Sequence, residues 1–344
     1  MASVLHEQGL ENLISLPQSG YDVVGSIVTY KTDLQEVDQA IRQFLAVPLR
    51  LHLCIIDNSP SPLPLPDYGD PRISYYFANG NLGYGRAHNI ALRASLGHTR
   101  YNLVMNTDIT YSPEVVTRLV SFMDANPQAG LASPKVLNPD GSLQHVCRLL
   151  PTPVNMFLRR FLPHASWTQR ADALYELRWW NHECVANIPY FQGSFMLLQT
   201  QLCNRLGGFD ERFFLYGEDI DLTRRIHEVA ETLYFPQVRI THQYRRFSNR
   251  SLLGTWYGIQ NNCRYFNKWG WFFDRERREL NGRVVAALRA CSEAAGDATH
   301  ALPGWLGRED QPRIVSRQLP AQLPMSYSHT LDAASHAQTH GQHR

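Results

Sequence analysis

The sequence of 344 residues lacks most signals that would assign it to a class at once. It has no uncharged apolar run near the roughly 18 residues of a membrane-spanning helix. The N-terminus carries Glu7 and Glu11 and no long apolar core, so we expect no signal peptide. The six cysteines form no CxxC pair and no zinc-like spacing, and we expect reduced thiols and a cytoplasmic protein. A net charge of +2 gives no indication of nucleic acid.

The first half of the chain alternates between apolar runs and helical patterns. The runs are near-continuous, as in strands buried on both faces of a parallel sheet, and the segments between them place apolar residues at helical spacing. This alternation predicts an α/β fold with a doubly wound, mostly parallel sheet. The predicted strands are 23–30, 51–56, 73–77 and 101–105, and the predicted helices are 34–45, 86–96 and 113–126.

The second half has shorter extended pieces and more arginine and aromatic residues. We predict strands over 195–198, 233–235 and 238–241, a helix over 220–229, and further helices over 251–290. From about residue 297 the chain is rich in Pro, Ser, Gln and His without periodicity, which predicts disorder. The predicted segments are a lead-in (1–20), a catalytic domain (21–245), a helical region (246–296) and a disordered tail (297–344).

Polar side chains follow two of the predicted buried strands. Ligands of open α/β sheets bind at the carboxyl ends of the strands, and Asn106-Thr107-Asp108 follows the fourth strand. Asp108 is suited to binding a hard divalent cation, although it could instead cap the next turn. Asp57 follows the second strand and could accept a hydrogen bond from a nucleotide base or ribose. Its alternative is an Asx-turn at the start of a Pro-rich loop.

A glycine-rich loop, Asn79 to Gly85, precedes the second predicted helix. Backbone N–H groups at a helix start can bind an anion, but such glycines are more often simple turn residues. The spacing is not GxGxxG, and no acidic residue lies at the matching distance. An NAD-linked oxidoreductase is therefore poorly supported.

Three carboxylates, Glu218, Asp219 and Asp221, lie together at the start of a predicted helix. They could simply favour the helix N-terminus. However, Asp221 can pair with Arg224 or Arg225 along the helix, which leaves Glu218 or Asp219 as a general base. His242 ends a predicted strand, and its neutral imidazole could complete the coordination of an ion at Asp108; the alternative is a structural histidine.

Taken together, these segments resemble the family 2 glycosyltransferases, and in particular the rhamnosyltransferase-like branch of bacterial surface (O-antigen type) polysaccharide biosynthesis. The resemblance covers roughly residues 21–270 and depends on the order and spacing of several short pieces. These are Val28–Tyr30, Asp57–Ser59, Asn81–Asn89, Asn106–Asp108, Gly193–Phe195, Gly207–Glu211 and Phe213–Leu222.

The resemblance implies a GT-A fold, in which a nucleotide-binding part (about 21–135) is fused to an acceptor-binding part (about 136–245). It implies that Asp57 contacts the nucleotide base and that Asp219, beside Glu218, is the catalytic base. The donor-binding residues that we predict are Thr29, Tyr30, Asp57, Asn81, Gly83, Arg86, Asn89, Asn106 and Asp108. The predicted acceptor residues are Gly193, Ser194, Trp179 and Trp180.

Asp108 is similar to the last residue of the family's DxD motif, which implies binding of Mg²⁺ or Mn²⁺ with the donor diphosphate. His242 is similar to a histidine that closes the metal site in several members. The sequence departs from the motif at Asn106, which brings no charge. We therefore expect the ion to be held weakly.

The implied reaction is an inverting single displacement that moves a sugar, with dTDP-L-rhamnose as the first candidate donor, to a glycan or lipid-diphosphate-linked acceptor. The alternatives are a transferase for another UDP- or GDP-sugar and a catalytically inactive nucleotide-sugar-binding module. The aromatic and basic segments 157–180 and 265–273 fit peripheral contact with the cytoplasmic face of the inner membrane. Packing within the acceptor part or across a homodimer interface is the alternative for these aromatics.

Overall fold

The computed structural model describes residues 14–158, 166–243 and 252–294. The predicted disordered tail lies outside these ranges, as do most of the lead-in and part of the aromatic and basic segment 157–180.

The predicted alternation of strands and helices in the first half is confirmed. Four parallel strands carry the apolar runs, and helix α1 buries Val37, Ile41 and Phe44 against them. Its N-cap is Asp33, whose side chain accepts from the Gln35 backbone N–H. The elements are β1 (Tyr21–Thr29), α1 (Leu34–Leu45), β2 (Leu51–Asp57), β3 (Ile73–Phe77), α2 (Tyr84–Ala94), β4 (Thr99–Met105), β5 (Ile109–Thr110) and α3 (Pro113–Ala125).

The second half extends the same sheet with strands of both directions. Strand β10 runs antiparallel between β4 and β6, whereas β6 and β11 are parallel to each other, so the sheet is mixed. Its order is β3-β2-β1-β4-β10-β6-β11-β5, with β8 paired to β11. The added elements are β6 (Ala129–Leu137), β7 (Cys147–Arg148), a π-helical turn (Val154–Leu158), α4 (Ser166–Tyr175), β8 (Ala186–Asn187), β9 (Tyr190–Phe191), β10 (Phe195–Gln199), α5 (Thr200–Arg205), α6 (Glu218–His227) and β11 (Glu231–His242).

Strand β11 corrects the prediction of two short strands over 233–235 and 238–241. It is continuous from Glu231 to His242, with a shift in register against β6 between Phe235 and Arg239. Pro236 lies in this shift, where a missing N–H costs no ladder hydrogen bond. The bulge lets the strand continue to His242, which is thereby brought to the same end of the sheet as Asp108.

Two C-terminal helices, α7 (Leu252–Trp269) and α8 (Arg275–Ala294), are joined to α6 through a buried ion pair. Arg224 donates to both oxygens of Asp274, at 2.7 and 3.1 Å, and its guanidinium lies 4.0 Å from the ring centroid of Trp269. None of the described helices is long and apolar enough to cross a membrane. Helix α8 also carries Cys291, which forms a disulfide with Cys184 and corrects the expectation of reduced thiols for this pair.

Candidate active site

The carboxyl ends of β1, β2 and β4 meet at one edge of the sheet and define the site. Strands β2 and β4 lie on opposite sides of β1, so the chain order changes direction here. Such a change opens a crevice above the strand ends, where open α/β sheets bind ligands. Thr29, Asp57 and Asn106 stand at these ends, as the sequence predicted.

Asp57 is buried and accepts hydrogen bonds on both carboxylate oxygens. Oδ1 accepts from Thr29 Oγ1 at 3.2 Å and from the Ser59 N–H at 2.9 Å, and Oδ2 accepts from the Tyr75 hydroxyl at 2.6 Å and the Leu63 N–H at 2.8 Å. Burial opposes the charge, but these hydrogen bonds lower the pKa of Asp57 below its usual value. The bond to Ser59 is the Asx-turn that we weighed as the alternative. A nucleotide base would have to replace one of these donors.

The glycine-rich loop packs against the protein itself. The Gly83 N–H donates to Asn81 Oδ1 at 2.9 Å, and the Tyr84 N–H donates to the Phe214 carbonyl at 3.0 Å. A Cβ on Gly83 would lie 2.4 Å from that same carbonyl oxygen, so only glycine fits. These contacts favour the turn interpretation over binding of a phosphate by the two N–H groups.

Asn89 and Arg86, two predicted donor residues, contact the loop after α5. Asn89 is buried and pairs with the Phe209 backbone through both its amide nitrogen and its oxygen, each at 2.8 Å. Glu211 of the same loop lies 3.5 Å from Arg86 Nε. The two side chains therefore position this loop below the crevice. Tyr30, in contrast, is exposed at the crevice end of β1.

Asp108 and His242 form what we call the metal corner. His242 is buried, and its Nε2 lies 3.2 Å from Asp108 Oδ1 because β11 pairs with β5, where His242 faces Ile109. Its Nδ1 lies 2.8 Å from Gln144 Oε1. With the amide oxygen of Gln144 as acceptor, Nδ1 carries the proton and Nε2 presents its lone pair toward the carboxylate. A lone pair beside a carboxylate oxygen suits a divalent cation between them.

The side chains of the metal corner are few. The described residues contain no group of three or more His, Cys, Asp or Glu side chains arranged for an ion. Asp108 and His242 would thus share the ion with the donor diphosphate and water, as Mg²⁺ sites with few protein ligands do. The set fits a weakly held Mg²⁺ or Mn²⁺.

Asn106 connects the metal corner to the acceptor side. Its N–H donates to the Ser194 carbonyl at 2.9 Å, and its Oδ1 lies 3.0 Å from the Tyr84 hydroxyl. The same hydroxyl lies 2.6 Å from the Gly193 carbonyl. Tyr84 has one proton to donate, so the shorter contact takes it and the hydroxyl oxygen can accept from the Asn106 amide if that group is turned.

Asp219 begins α6, with Glu218, in what we call the base corner. Its Oδ2 accepts from the Gly193 N–H at 3.1 Å and the Tyr190 hydroxyl at 3.3 Å, and its Oδ1 accepts from the Ile220 N–H at 2.9 Å. A Cβ on Gly193 would lie 3.1 Å from the Asp219 Cβ, so the glycine permits this close approach. Burial raises the pKa of Asp219, and these donors together with the charge of Arg148 oppose the rise.

Glu218 is only 4% exposed, and among the described residues its Oε2 has no hydrogen-bond partner. Burial and the neighbouring charge of Asp219 raise its pKa well above the usual value. The pKa values of both carboxyl groups are raised, but Asp219 has the hydrogen-bond donors and Glu218 has the greater burial, so the pair favours the proton on Glu218 and the charge on Asp219. The predicted pairing of Asp221 is confirmed with Arg225, at 2.8 Å.

The predicted acceptor residues divide into two groups. Gly193 and Ser194 lie between the two corners, whereas Trp180 packs in the interior, 4.1 Å from the His182 ring and 5.3 Å from the Tyr234 ring. Trp179 is partly buried against the same core. Trp180 therefore has no route to an acceptor from this position, and we do not include it in the site.

Sequence reasoning missed Tyr84, Tyr190 and Arg148. Tyr84 lies within the predicted glycine-rich loop and Arg148 begins the arginine- and aromatic-rich region, so their neighbourhoods carried a signal. The roles of Arg148 and Tyr190 depend on pairing between β7 and β9, strands of two residues each. Strands so short have no periodicity from which pairing could be predicted.

Comparisons with known proteins show which family and which fold the chain is similar to. Residues 26–164 match the family described as Glycosyl transferase family 2. Over these residues the chain is similar to the family 2 glycosyltransferases. It is 28% identical over 197 residues to an N-acetylglucosaminyl-diphospho-decaprenol L-rhamnosyltransferase of Mycobacterium tuberculosis, covering 52% of this chain and 62% of that protein. It is 26% identical to the rhamnosyltransferase WbbL of Escherichia coli, covering 51% and 66%.

The fold is also similar to a solved structure. The crystal structure of GalNAc-T7 with UDP, GalNAc and Mn²⁺ superposes with a TM-score of 0.53 at 12% identity, over 72% of this chain and 48% of that one. This similarity concerns the fold alone, and it confirms the expected GT-A type of architecture. The chain spans about three fifths of the length of the Mycobacterium tuberculosis relative.

Proposed function

We propose that the chain is a glycosyltransferase that moves a sugar from a nucleoside diphosphate to an acceptor hydroxyl with inversion. The observation that carries this proposal is the connection between the two corners. Asp219 accepts from the Gly193 N–H, the Gly193 carbonyl accepts from Tyr84, and Tyr84 contacts Asn106. This chain of contacts makes the base corner and the metal corner neighbours at the same end of the sheet, as transfer of a sugar from a diphosphate to an activated hydroxyl requires.

Asp219 would take the proton from the acceptor hydroxyl as that oxygen attacks the anomeric carbon. The anion is ready for this step because Glu218 keeps the shared proton. A bound Mg²⁺ or Mn²⁺, held by Asp108 and His242, would neutralise charge that develops on the leaving diphosphate. A catalytically inactive binding module would have no use for a buried carboxylate prepared as a base.

The nucleoside would lie on the Asp57 side of the crevice. A cavity of about 470 Å³ there is lined in part by Leu63 and Tyr75, both of which donate to Asp57. The names of the two rhamnosyltransferase relatives support dTDP-L-rhamnose as the first donor to try. Another UDP- or GDP-sugar is the alternative.

The decisive experiment is a donor panel with Mn²⁺, in which release of nucleoside diphosphate from dTDP-, UDP- and GDP-sugars is measured with and without acceptor. We expect one donor to be hydrolysed slowly alone and faster with a lipid-diphosphate-linked glycan. Binding of a donor without any turnover would support the inactive module instead.

The stretch 265–273, predicted to contact a membrane, contains both buried and exposed aromatic residues. Tyr265 and Phe266 are buried, which supports packing, whereas Phe272 and Phe273 are 69% and 95% exposed beside the exposed Arg275. We propose that these two phenylalanines contact the membrane interface. Flotation with anionic liposomes should lose binding in a Phe272→Ser, Phe273→Ser double variant; absence of binding by the parent protein at low salt would refute the proposal.

A further inference from the structure

Arg148 lies beside the base corner and takes no direct part in the proton transfer described above. It stands opposite Tyr190 in the β7–β9 pair, and its guanidinium lies 5.8 Å from the Tyr190 ring centroid and 5.7 Å from that of Tyr175. Its Nε donates to the His145 carbonyl at 3.2 Å. The two rings and this bond fix the plane of the guanidinium.

The N–H groups on the two terminal nitrogens of Arg148 can still donate to a ligand. Neither makes a hydrogen bond within the described ranges, and the carboxylate of Glu176 lies 3.9 Å from Nη2, beyond hydrogen-bond distance. Glu176, which is within ion-pair distance of Arg148 through Oε1, is also bound through Oε2 by Arg178, whose Nε donates to it at 2.8 Å. About 20% of the Arg148 side chain remains exposed, so a ligand can reach these nitrogens.

The guanidinium and the catalytic base are separated by a single tyrosine. The ring of Tyr190 lies against Arg148, and its hydroxyl donates to Asp219 at 3.3 Å. Tyr190 itself is buried, so an acceptor whose hydroxyl is at Asp219 would have the guanidinium of Arg148 about one tyrosine side chain away. Guanidinium groups bind phosphate oxygens with two parallel N–H bonds and stay charged throughout the accessible pH range.

We propose that Arg148 is an acceptor-side anion site that binds the phosphate of a diphosphate-linked acceptor sugar. This inference depends on the proposed function, because it assigns the acceptor of the same site. It makes Arg148 a specificity-determining residue: a neutral glycan would bind without its help, and a diphosphate-linked one would gain two charge-assisted hydrogen bonds.

The test measures binding, so that it does not depend on turnover. The full chain is first saturated with nucleoside diphosphate and Mn²⁺, which fills the donor site, and is then titrated with a short alkyl diphosphate by calorimetry. We expect Arg148→Gln to weaken this second binding about tenfold to a hundredfold. Arg148→Lys, which keeps a point charge but loses the fork, should lie between the two.

Arg178→Gln is the matched control, because it removes an equal charge from the other partner of Glu176 and should leave the second binding unchanged. If Arg148→Gln does not fold, Arg148→Lys with an unchanged melting temperature decides the outcome. Equal alkyl diphosphate affinity in the parent protein and Arg148→Lys would then overturn the proposal. So would an Arg148→Gln variant that shifts the pH profile of turnover but not the affinity, because Arg148 would then act on Asp219 alone. A failed donor panel with intact alkyl diphosphate binding would reject the proposed function and not this site.

Discussion

Two carboxylates at the same end of the sheet, Asp108 and Asp219, are prepared for different tasks. Asp219 accepts three hydrogen bonds from Gly193, Tyr190 and Ile220, so the protein itself stabilises the anion. Asp108 Oδ1 lies 3.2 Å from His242 Nε2, a nitrogen that can bind a metal ion when its proton is on Nδ1. In the base corner the carboxylate is held by donors of the chain itself, whereas for the metal corner we propose a cation as the partner of the carboxylate.

The strongest test of the difference between Asp108 and Asp219 is the substitution Asp219→Asn. An amide cannot accept the proton from the attacking hydroxyl, so we expect transfer to fall by about 10²- to 10⁴-fold. Donor affinity should stay unchanged, because the substitution leaves Asp108 and His242, the proposed ligands of the ion and its diphosphate, in place. Glu218→Gln is the control, since it replaces a neutral acid by a neutral amide and should keep most of the transfer. Normal transfer by Asp219→Asn would show that the base lies elsewhere.

The two corners were also predicted from the sequence to different extents. Asp108 follows a buried run of apolar residues, and its place at a strand end follows from that run alone. Gly193 and Tyr190 donate two of the hydrogen bonds that Asp219 accepts. Their position beside Asp219 depends on long-range pairing of strands, which local periodicity does not encode. Asn89 and Trp180 have polar or aromatic side chains typical of sites, yet tertiary packing places both in the interior.

Substitutions in and beside the metal corner are expected either to weaken or to strengthen Mn²⁺-dependent nucleotide binding. Asp108→Ala should reduce the Mn²⁺-dependent part of nucleotide affinity about tenfold or more, because Asp108 is the charged ligand of the pair. Asn106→Asp should increase it, because a second carboxylate would face the ion. Calorimetric titration of nucleoside diphosphate with and without Mn²⁺ measures both effects. Equal affinities in all three proteins, with and without Mn²⁺, would argue against a metal site.

Gln144 provides a smaller and more specific test of the same corner. Its Oε1 lies 2.8 Å from His242 Nδ1, and the tautomer in which Nδ1 donates to this oxygen is the one that directs the Nε2 lone pair toward Asp108. Gln144→Leu removes this acceptor, and loss of such a partner weakens metal affinity about tenfold. Gln144→Glu keeps an acceptor and should bind at least as tightly. Mn²⁺ affinity can be followed by electron paramagnetic resonance; equal weakening by Leu and Glu would mean that the tautomer is not set by Gln144.

The smallest effect that we expect is a pH dependence of protein stability caused by the proton on Glu218. The folded-state pKa of Glu218 is raised, whereas the unfolded value is about 4.3. Between these two values the folded state binds more protons, so the stability that Glu218 contributes is present below pH 4.3 or so and declines as pH rises toward the folded pKa. Glutamine does not titrate and does not lose stability in this way. The melting temperature of Glu218→Gln minus that of the parent protein should therefore increase from pH 5 to pH 8. Parallel melting curves over that range would place the proton on Asp219 and exchange the roles of the two carboxylates.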